Sequence, residues 1–234
     1  MNLFYQPEIA EGIHYLDVEE SRHCIKVLRR KVGDAIFITD GKGFFYDALI
    51  KSASEKQCAF EIIKTTPALA RPYTIHIAIS PTKNNERIEW FVEKAVELGI
   101  DQISLIECDH TERAFLKGER LRKVAISAMK QSLKASLPQI EEVTPFKKFI
   151  STIKEAQRFI AYVDATNPLH LQQAATAKSA YCILIGPEGD FSQDELTQSL
   201  NAGFQKISLG QSRLRTETAG LAACHILNLI NEAR

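Results

Sequence analysis

The fold class is decided by the stretch Tyr73-Thr-Ile-His-Ile-Ala-Ile-Ser-Pro-Thr-Lys-Asn-Asn-Glu-Arg-Ile-Glu-Trp-Phe-Val-Glu-Lys-Ala-Val-Glu-Leu-Gly99. Its first eight residues alternate between apolar and polar or small side chains, which is the two-residue period of a strand. From Ile88 to Val96 the apolar residues recur three and four positions apart, as on an amphipathic helix, and Gly99 suits a helix end. A strand that leads directly into a helix is the repeating unit of an α/β sheet.

The same alternation continues toward the C-terminus. Strand-like runs recur at Ile103–Ile106, Arg158–Val163, Tyr181–Ile185 and Lys206–Leu209. Helical patterns occupy the intervals near 119–135, 168–176, 192–202 and 216–233. Residues 71–234 are therefore expected to form a mostly parallel α/β domain. Ligands bind beyond the carboxyl ends of such strands, so the loops after Val163, Ile185 and Leu209 are the candidate site.

Residues 1–70 show a different, strand-rich pattern. Short apolar runs cover Ala35–Thr39, Phe44–Ile50 and Cys58–Ile63. Asp40-Gly41 between the first two is a strong hairpin signal. One short helix is expected over Glu19–Leu28, ended by Gly33. These features predict a small β-barrel, separated from the second domain by the Pro-flanked linker Thr65–Pro72.

Composition excludes several classes of protein. The chain has 234 residues, of which 45% are hydrophobic and 25% charged, so it can bury a core and is not a disordered or fibrous chain. Its 29 basic and 29 acidic residues give no net charge, which argues against a purely electrostatic nucleic-acid binder.

Targeting and metal-binding patterns are also missing from the sequence. It contains neither an apolar run of bilayer length nor a signal-peptide pattern, so we expect a cytoplasmic protein without membrane partners. The five cysteines form no C-x-x-C pair and the histidines lack ligand spacing, so we expect reduced thiols and no metal.

The first candidate loop is Ile185-Gly-Pro-Glu-Gly-Asp-Phe-Ser192. Gly186 and Gly189 permit close approach of a ligand to the backbone, and Pro187 stiffens the turn. Ser192 and Glu195 have the spacing of a capping box that opens the next helix. A ligand-binding loop and an ordinary strand-to-helix turn are both consistent with this pattern.

The second candidate loop is Leu209-Gly-Gln-Ser-Arg-Leu-Arg-Thr-Glu-Thr-Ala219, which leads into an Ala-rich helix. Thr216 or Thr218 is the expected N-cap of that helix. Arg213 and Arg215 can form a clamp for an anion or a developing oxyanion. They can equally pair with Glu217 at a solvated helix start, and the pattern leaves both interpretations open.

Together these two loops resemble the ribosomal RNA small subunit methyltransferase E family (RsmE), in the SPOUT class of AdoMet-dependent RNA methyltransferases. The motifs are Gly186-Pro-Glu-Gly189 and Leu214-Arg-Thr-Glu-Thr-Ala219, preceded by Leu209-Gly210. Further matches are Leu3-Phe-Tyr5, Ser21–Arg29 and Lys94–Gly99, so the resemblance covers nearly the whole chain.

The resemblance implies a PUA-like RNA-binding barrel at 1–70 and a SPOUT domain with a deep trefoil knot at 71–234. It further implies a homodimer that methylates N3 of one uridine in 16S ribosomal RNA within the small subunit. Other open functions are ribose 2′-O methylation by another SPOUT enzyme and a non-catalytic RNA-binding assembly factor. The AdoMet site implied by the resemblance comprises Gly186, Pro187, Glu188, Gly189, Ile207, Leu209, Gly210, Leu214, Arg215, Thr216, Thr218 and Ala219, with Asp164–Pro168 as a third wall.

Methylation of uridine N3 requires loss of the N3 proton and stabilisation of the charge that develops on the base. Arg215 is our first candidate for the stabilising cation and Arg213 the second. Glu217 is a candidate base, although neighbouring arginines would favour its ionised form and suit a structural partner better.

Two basic clusters are candidates for phosphate contact, although solvated helix faces look the same. Residues 22–31 carry five basic residues and no acid, and residues 113–134 carry seven against one. The candidate RNA-binding residues are Arg22, Lys26, Arg29, Arg30, Arg113, Arg122, Lys130 and Lys134. Lys130 and Lys134 stand where the family usually has Glu and Arg. The role of that Glu therefore does not carry over, and Lys134 does not reproduce the bidentate guanidinium of the Arg. His23 is expected to pack or cap rather than to catalyse. Trp90 is expected to lie in the core or a dimer interface rather than to act as a base-stacking platform.

Overall fold

The computed structural model describes residues 2–112, 118–164 and 169–232 and divides the chain into two compact units. The first unit comprises Met1–Ala70 and Ile126–Leu137, and the second comprises Arg71–Ala125 and Pro138–Arg234. The predicted division at residue 70 assigns segment 126–137 to the second domain, whereas its contacts group it with the first unit.

The first unit contains a four-stranded sheet. Its strands are β1 (Leu3–Tyr5), β2 (Ala35–Thr39), β3 (Phe44–Ser52) and β4 (Ala59–Pro67), in the order β1-β2-β3-β4. β1 is parallel to β2, and the other neighbours are antiparallel. The three predicted strands are confirmed, while the three-residue β1 was not anticipated. Among the described residues no ladder pairs β1 with β4, so barrel closure stays a prediction.

The predicted hairpin between β2 and β3 turns through four residues, Asp40–Gly43. Asp40 is only 2% exposed. Its Oδ1 accepts hydrogen bonds from the backbone N–H groups of Lys42 (2.7 Å) and Phe44 (3.2 Å), and its Oδ2 accepts one from the Tyr46 hydroxyl (3.1 Å). Burial, together with the Asp40 charge, raises the pKa of Tyr46 to about 12.

Segment 126–137 belongs to the first unit because it bonds to this hairpin. The carbonyl of Ala135 accepts from Thr39 Oγ1 (3.0 Å) and from the N–H of Gly43 (3.0 Å). The N–H of Leu137 donates to the carbonyl of Gly41 (2.8 Å). These bonds satisfy backbone groups of both segments and hold them together.

The predicted helix over Glu19–Leu28 is helical but divides into two parts. α1 (Val18–Arg22) begins after Asp17, whose side chain accepts from the N–H of Glu20 (2.7 Å). The chain then continues through a π-helical turn over His23–Val27. Asp17 satisfies a free N–H group of the first turn, as N-cap residues do.

The second unit contains a six-stranded sheet in which all neighbours are parallel. Its strands are β5 (Thr74–Ile79), β6 (Gln102–Glu107), β7 (Gln139–Pro145), β8 (Gln157–Ala161), β9 (Ala180–Ile185) and β10 (Gln205–Ile207). The order is β10-β8-β9-β5-β6-β7. The parallel α/β sheet is thus confirmed, with β7 as an additional edge strand that the sequence did not reveal.

The helices are α2 (Asn85–Leu98), α3 (Gly118–Gln131), α4 (Phe146–Ile150), α5 (Leu171–Ala174), α6 (Gln193–Asn201) and α7 (Thr216–Glu232). Asn84 caps α2 by accepting from the N–H of Glu86 (3.0 Å), and Gly99 ends it with φ +95°. α2 packs against α7. The described part of the chain has no helix both long and apolar enough to cross a bilayer. All five cysteines are buried, and none of them forms a disulfide in the described structure.

Candidate active site at the strand ends

The three predicted loops begin at adjacent strand ends. β10, β8 and β9 are neighbours, and their last residues pair as Ile207 with Ala161 and Ala161 with Ile185. The loops that follow these residues therefore leave the same edge of the sheet, as expected for a ligand site. Of the predicted third wall, residues 165–168 lie outside the described residues.

The first loop needs its glycines for close packing. A Cβ on Gly186 would lie 3.1 Å from the Phe191 ring, and one on Gly189 would lie 3.1 Å from Cβ of His110. Asp190, at φ +62°, accepts hydrogen bonds from the N–H groups of Val163 (3.2 Å) and Phe191 (2.8 Å). Burial raises the pKa of Asp190. The loop is therefore closely packed, and Asp190 bonds it to the backbone that follows β8.

The predicted capping box is confirmed. Ser192 Oγ accepts from the N–H of Glu195 (3.2 Å), and Glu195 Oε2 accepts from the N–H of Ser192 (2.9 Å). The other oxygen of Glu195, Oε1, accepts from the N–H of Asp109 (2.9 Å). The buried Glu195 thus also ties the loop after β6 to the first loop, a contact that the sequence did not predict.

The second loop is tied to the first by Thr216. Its Oγ1 donates to the carbonyl of Gly186 (3.0 Å). The prediction that Thr216 or Thr218 caps α7 is wrong, because the helix begins at Thr216 itself. The N–H of Ala219 donates to the carbonyl of Arg215 (2.8 Å), which places Arg215 just before the first helical residue. The Thr216 hydroxyl is therefore used between the loops rather than on the helix.

The residues predicted to bind the cofactor differ in exposure. Gly210 is exposed at φ +122°, with nothing within 4 Å of the position a Cβ would take. The other exposed positions are Glu188, Gly189, Arg215 and Thr218. Half-buried positions are Gly186, Leu209, Leu214 and Ala219, and buried ones are Pro187, Ile207 and Thr216.

A cavity of about 310 Å³ opens where the N-terminal turns of α2 and α7 meet. It is lined by Asn84, Glu86, Arg87, Trp90, Arg215, Glu217 and Thr218. Three of these were sequence candidates for the site. Trp90 is 42% exposed, so its predicted alternative of a core position is wrong. His23 lies edge-on to Phe4 with ring centroids 6.2 Å apart, in agreement with a packing role.

The cation beside Glu217 is Arg87, which the sequence did not single out. Arg87 Nε lies 4.0 Å from Glu217 Oε1, and Arg87 Nη1 lies 3.8 Å from Glu188 Oε1. Arg213 instead contributes an attraction at Asp190. Arg87 follows β5, the neighbour of β9, and only this strand order would have placed it near the first loop.

The candidate RNA-binding residues are mostly exposed. Arg22, Lys26, Arg29, Arg30 and Arg122 are exposed, and Arg113 lies outside the described residues. Lys130 and Lys134 are half-buried. Lys130 forms an ion pair with Glu20, a side chain whose pKa is raised by burial in spite of that pair. The charge of Lys130 is therefore already partnered within the first unit.

One buried cluster offers metal-ligand atoms. Atoms of His76, Glu155 and Cys182 lie within 4.8 Å of one another. However, the His76 ring nitrogens are hydrogen-bonded to Glu155 Oε1 (2.5 Å) and Ser104 Oγ (2.8 Å). Burial raises the pKa of the Cys182 thiol, which opposes the thiolate form that binds metals. The chemistry of this cluster is that of a satisfied polar network in the core.

Comparison with known proteins relates both units to RNA methyltransferases. The RNA methyltransferase domain family model matches residues 70–228. The RNA methyltransferase PUA domain model matches residues 16–63. The two models together span most of the chain.

Similar proteins agree with these models. The ribosomal RNA small subunit methyltransferase E of Buchnera aphidicola is 29% identical, over 94% of this chain and 90% of that protein. A crystal structure of a probable rRNA-methyltransferase from Porphyromonas gingivalis is 45% identical, with TM-score 0.93, over 100% and 99% of the two chains. The Neisseria gonorrhoeae ribosomal RNA small subunit methyltransferase E, bound to S-adenosyl methionine, is 25% identical, with TM-score 0.85, over 99% and 98%. With these matches along its whole length, the chain belongs to the ribosomal RNA small subunit methyltransferase E family.

Proposed function

We propose that this protein transfers a methyl group from AdoMet to N3 of one uridine in 16S ribosomal RNA and so forms 3-methyluridine. The observation that carries the proposal is the junction of the two family motifs at adjacent strand ends. Thr216 Oγ1 donates to the carbonyl of Gly186 at 3.0 Å. The last residues of the three strands lie side by side, because Ala161 pairs with Ile207 on one side and with Ile185 on the other. This edge of the sheet is where α/β folds bind ligands.

The loops suit a cofactor recognised through backbone groups. The open space beside Gly210 would admit an adenosine closely, where a side chain would stand in the way. The proposed AdoMet contacts are Gly186, Pro187, Glu188, Gly189, Ile207, Leu209, Gly210, Leu214, Arg215, Thr216, Thr218 and Ala219. When bound, AdoMet supplies an electrophilic methyl group on a positively charged sulfur, so the chain itself must prepare the acceptor base.

The acceptor needs a cation more than it needs a strong base. Loss of the N3 proton leaves negative charge on O2 and O4 of uracil, and a guanidinium beside either oxygen stabilises it. We assign this role to Arg215, which lines the cavity beside Glu217. Arg213, near Asp190, is the second candidate. Glu217 remains a candidate proton acceptor, and the Arg87 guanidinium lies 4.0 Å from its carboxylate.

The remaining parts of the proposal concern RNA binding and assembly. Residues 1–70 would act as a PUA-like RNA-binding barrel and residues 71–234 as a SPOUT methyltransferase domain with a trefoil knot. After the edge strand β10, the chain returns to pack α7 against β5 and β9, as a knotted C-terminus would require. We also propose a homodimer acting on the small ribosomal subunit in the cytoplasm.

The test is transfer of tritium from methyl-labelled AdoMet to small ribosomal subunits from cells that lack this modification. Nucleoside analysis should recover the label as 3-methyluridine. Subunits that already carry the modification are the matched control and should accept little label. Label in a ribose 2′-O-methyl nucleoside would identify a different RNA methyltransferase, and failure to bind AdoMet would favour a non-catalytic RNA-binding factor.

A further inference from the structure

The cavity between the first turns of α2 and α7 contains an unusual carboxylate. The Glu217 side chain is only 9% exposed, and it lines the cavity. Within the described part of the chain, its Oε2 is buried and has no hydrogen-bond partner. A buried carboxylate oxygen without a donor is unfavourable, because it has lost its hydration without replacement. The carboxylate meets the cavity through the small part of the side chain that stays exposed, and a ligand N–H group there would supply the donor that it lacks.

The groups around Glu217 would also recognise a carbonyl. The guanidinium of Arg87 lies between Glu217 and Glu188, at 4.0 and 3.8 Å from their carboxylate oxygens. Arg215 and the amide-bearing Asn84 line the same cavity. Guanidinium and amide N–H groups donate to carbonyl oxygens. The cavity therefore combines one acceptor that lacks a donor with several donors.

Trp90 gives this cavity an aromatic wall. Trp90 is 42% exposed, because it lies on α2 outside the buried apolar face of that helix. An exposed indole beside charged groups is a platform on which a planar ring can stack. The cavity volume of about 310 Å³ is large enough for one nucleobase.

We infer that this cavity binds a nucleobase that presents a ring N–H next to a carbonyl, stacked on Trp90. Uracil and guanine have this edge, with N3–H or N1–H donating to Glu217 and the adjacent carbonyl accepting from Arg87 or Arg215. Adenine and cytosine present a ring nitrogen lone pair there, which a carboxylate repels. The inference rests on the proposed function, since the base would belong to the RNA substrate.

The chain provides its own probe, because Trp90 is its one tryptophan. Tryptophan fluorescence should be followed, with S-adenosylhomocysteine saturating, while the 5′-monophosphates of uridine, guanosine, cytidine and adenosine are titrated separately. We expect saturable quenching by the uridine or guanosine nucleotide at concentrations about tenfold below those needed for the other two, since one wrong edge costs roughly that factor. A response to uridine alone assigns the cavity to the acceptor base, and a response that includes guanosine assigns it to a neighbouring nucleotide.

Variants test the role of the carboxylate. Glu217→Gln should remove the preference among bases, and Glu217→Asp should weaken binding but keep the preference. Glu232→Gln, at the far end of the same helix, is the matched control and should behave as the unmodified protein. Circular dichroism and the affinity for S-adenosylhomocysteine report whether each variant is folded. If Glu217→Gln does not fold, the weaker binding expected of Glu217→Asp tests the role of the carboxylate instead.

The inference is overturned by equal quenching from all four nucleotides, by an unchanged preference in Glu217→Gln, or by no quenching at millimolar concentrations. Failure of the proposed function would look different, since methyl transfer to ribosomal subunits would be missing while the base-selective quenching of Trp90 persisted.

Discussion

Arg213 and Arg215 are two residues apart, yet their surroundings separate their roles. Arg215 lines the cavity that also contains Glu217, whereas Arg213 acts on Asp190, a residue that holds the first loop to the β8 segment. A guanidinium that faces the cavity can stabilise charge on a bound base. The positive charge of Arg213 instead favours the ionised form of Asp190. Because Arg215 lines this cavity, it stays our first candidate for the chemical step, ahead of Arg213.

We predict that Arg215→Ala lowers the single-turnover rate of methyl transfer by roughly 100-fold or more, the usual effect of removing an oxyanion donor. The AdoMet dissociation constant, measured by calorimetry, should change by less than about threefold. Arg213→Ala is the matched comparison and should affect the rate less. Equal losses of rate and of AdoMet affinity in Arg215→Ala would instead show that this residue only binds the cofactor.

A second residue-scale prediction concerns Glu155. Burial opposes its charged form, but the hydrogen bond with His76 and backbone N–H groups together lower the pKa of Glu155 below its ordinary value. Since the folded pKa lies below the unfolded one, Glu155 stabilises the fold above about pH 4.5. This contribution is lost as the pH falls through the folded pKa.

Urea unfolding should therefore show a larger loss of stability for Glu155→Gln at pH 6 than at pH 3. Glu97→Gln, which removes a carboxylate from the surface of α2, serves as the control with a small effect at both pH values. A stability loss for Glu155→Gln that does not vary with pH would contradict an ionised Glu155 in the folded protein.

At the scale of elements, the strands that could be predicted from the sequence are those with a regular pattern of apolar residues. β5 and β9 are apolar on both faces or alternate clearly, and both were predicted nearly in full. β7, with the sequence Gln-Ile-Glu-Glu-Val-Thr-Pro, pairs with β6 at the edge of the sheet as the structure describes it, and it keeps polar residues on its surface. Its polar composition hides it, because an edge strand need not bury both faces.

The candidate site was predictable only where it is local in sequence. The two glycine-containing loops and the Ser192–Glu195 capping box follow strands directly and could be identified from spacing. The partnership of Arg87 with Glu188 joins segments a hundred residues apart. It depends on β5 lying beside β9, and no local pattern in the sequence gives the order of strands in a parallel sheet.

The packing of α7 against α2 gives an element-scale prediction. A Cβ on Gly220 would lie 2.7 Å from Phe91 Cε2 and 3.0 Å from Ile79 Cδ1. Gly220→Ala should therefore destabilise the protein by about 1–3 kcal/mol through overpacking, despite the better helix propensity of alanine. Urea unfolding measures this change.

The double variant Gly220→Ala/Phe91→Leu identifies the cause. In the Phe91→Leu background the added methyl group has more room, so Gly220→Ala should cost clearly less than it does alone. Additive effects of the two substitutions would show that the contact with Phe91 is not the source of the instability.

At the scale of the whole molecule, the zero net charge is an average over uneven regions. Residues 1–70 contain 9 basic and 10 acidic residues, and the rest contains 20 and 19, so neither part is basic overall. Positive charge is instead concentrated in residues 22–31 and 113–134. Such a distribution disfavours indiscriminate binding to nucleic acid and suits an RNA contact limited to a defined surface.

The final prediction tests that surface through the salt dependence of RNA binding. Arg29 and Arg30 are exposed within the first cluster. Their joint replacement by glutamine should reduce the slope of log affinity against log salt by about 1 to 2, because each phosphate contact contributes roughly 0.7 to 0.9. Lys147 and Lys148 on α4 are also exposed, and their replacement removes the same charge outside the clusters. Equal slopes for the two double variants would mean that only total charge matters and that the first cluster does not contact phosphate.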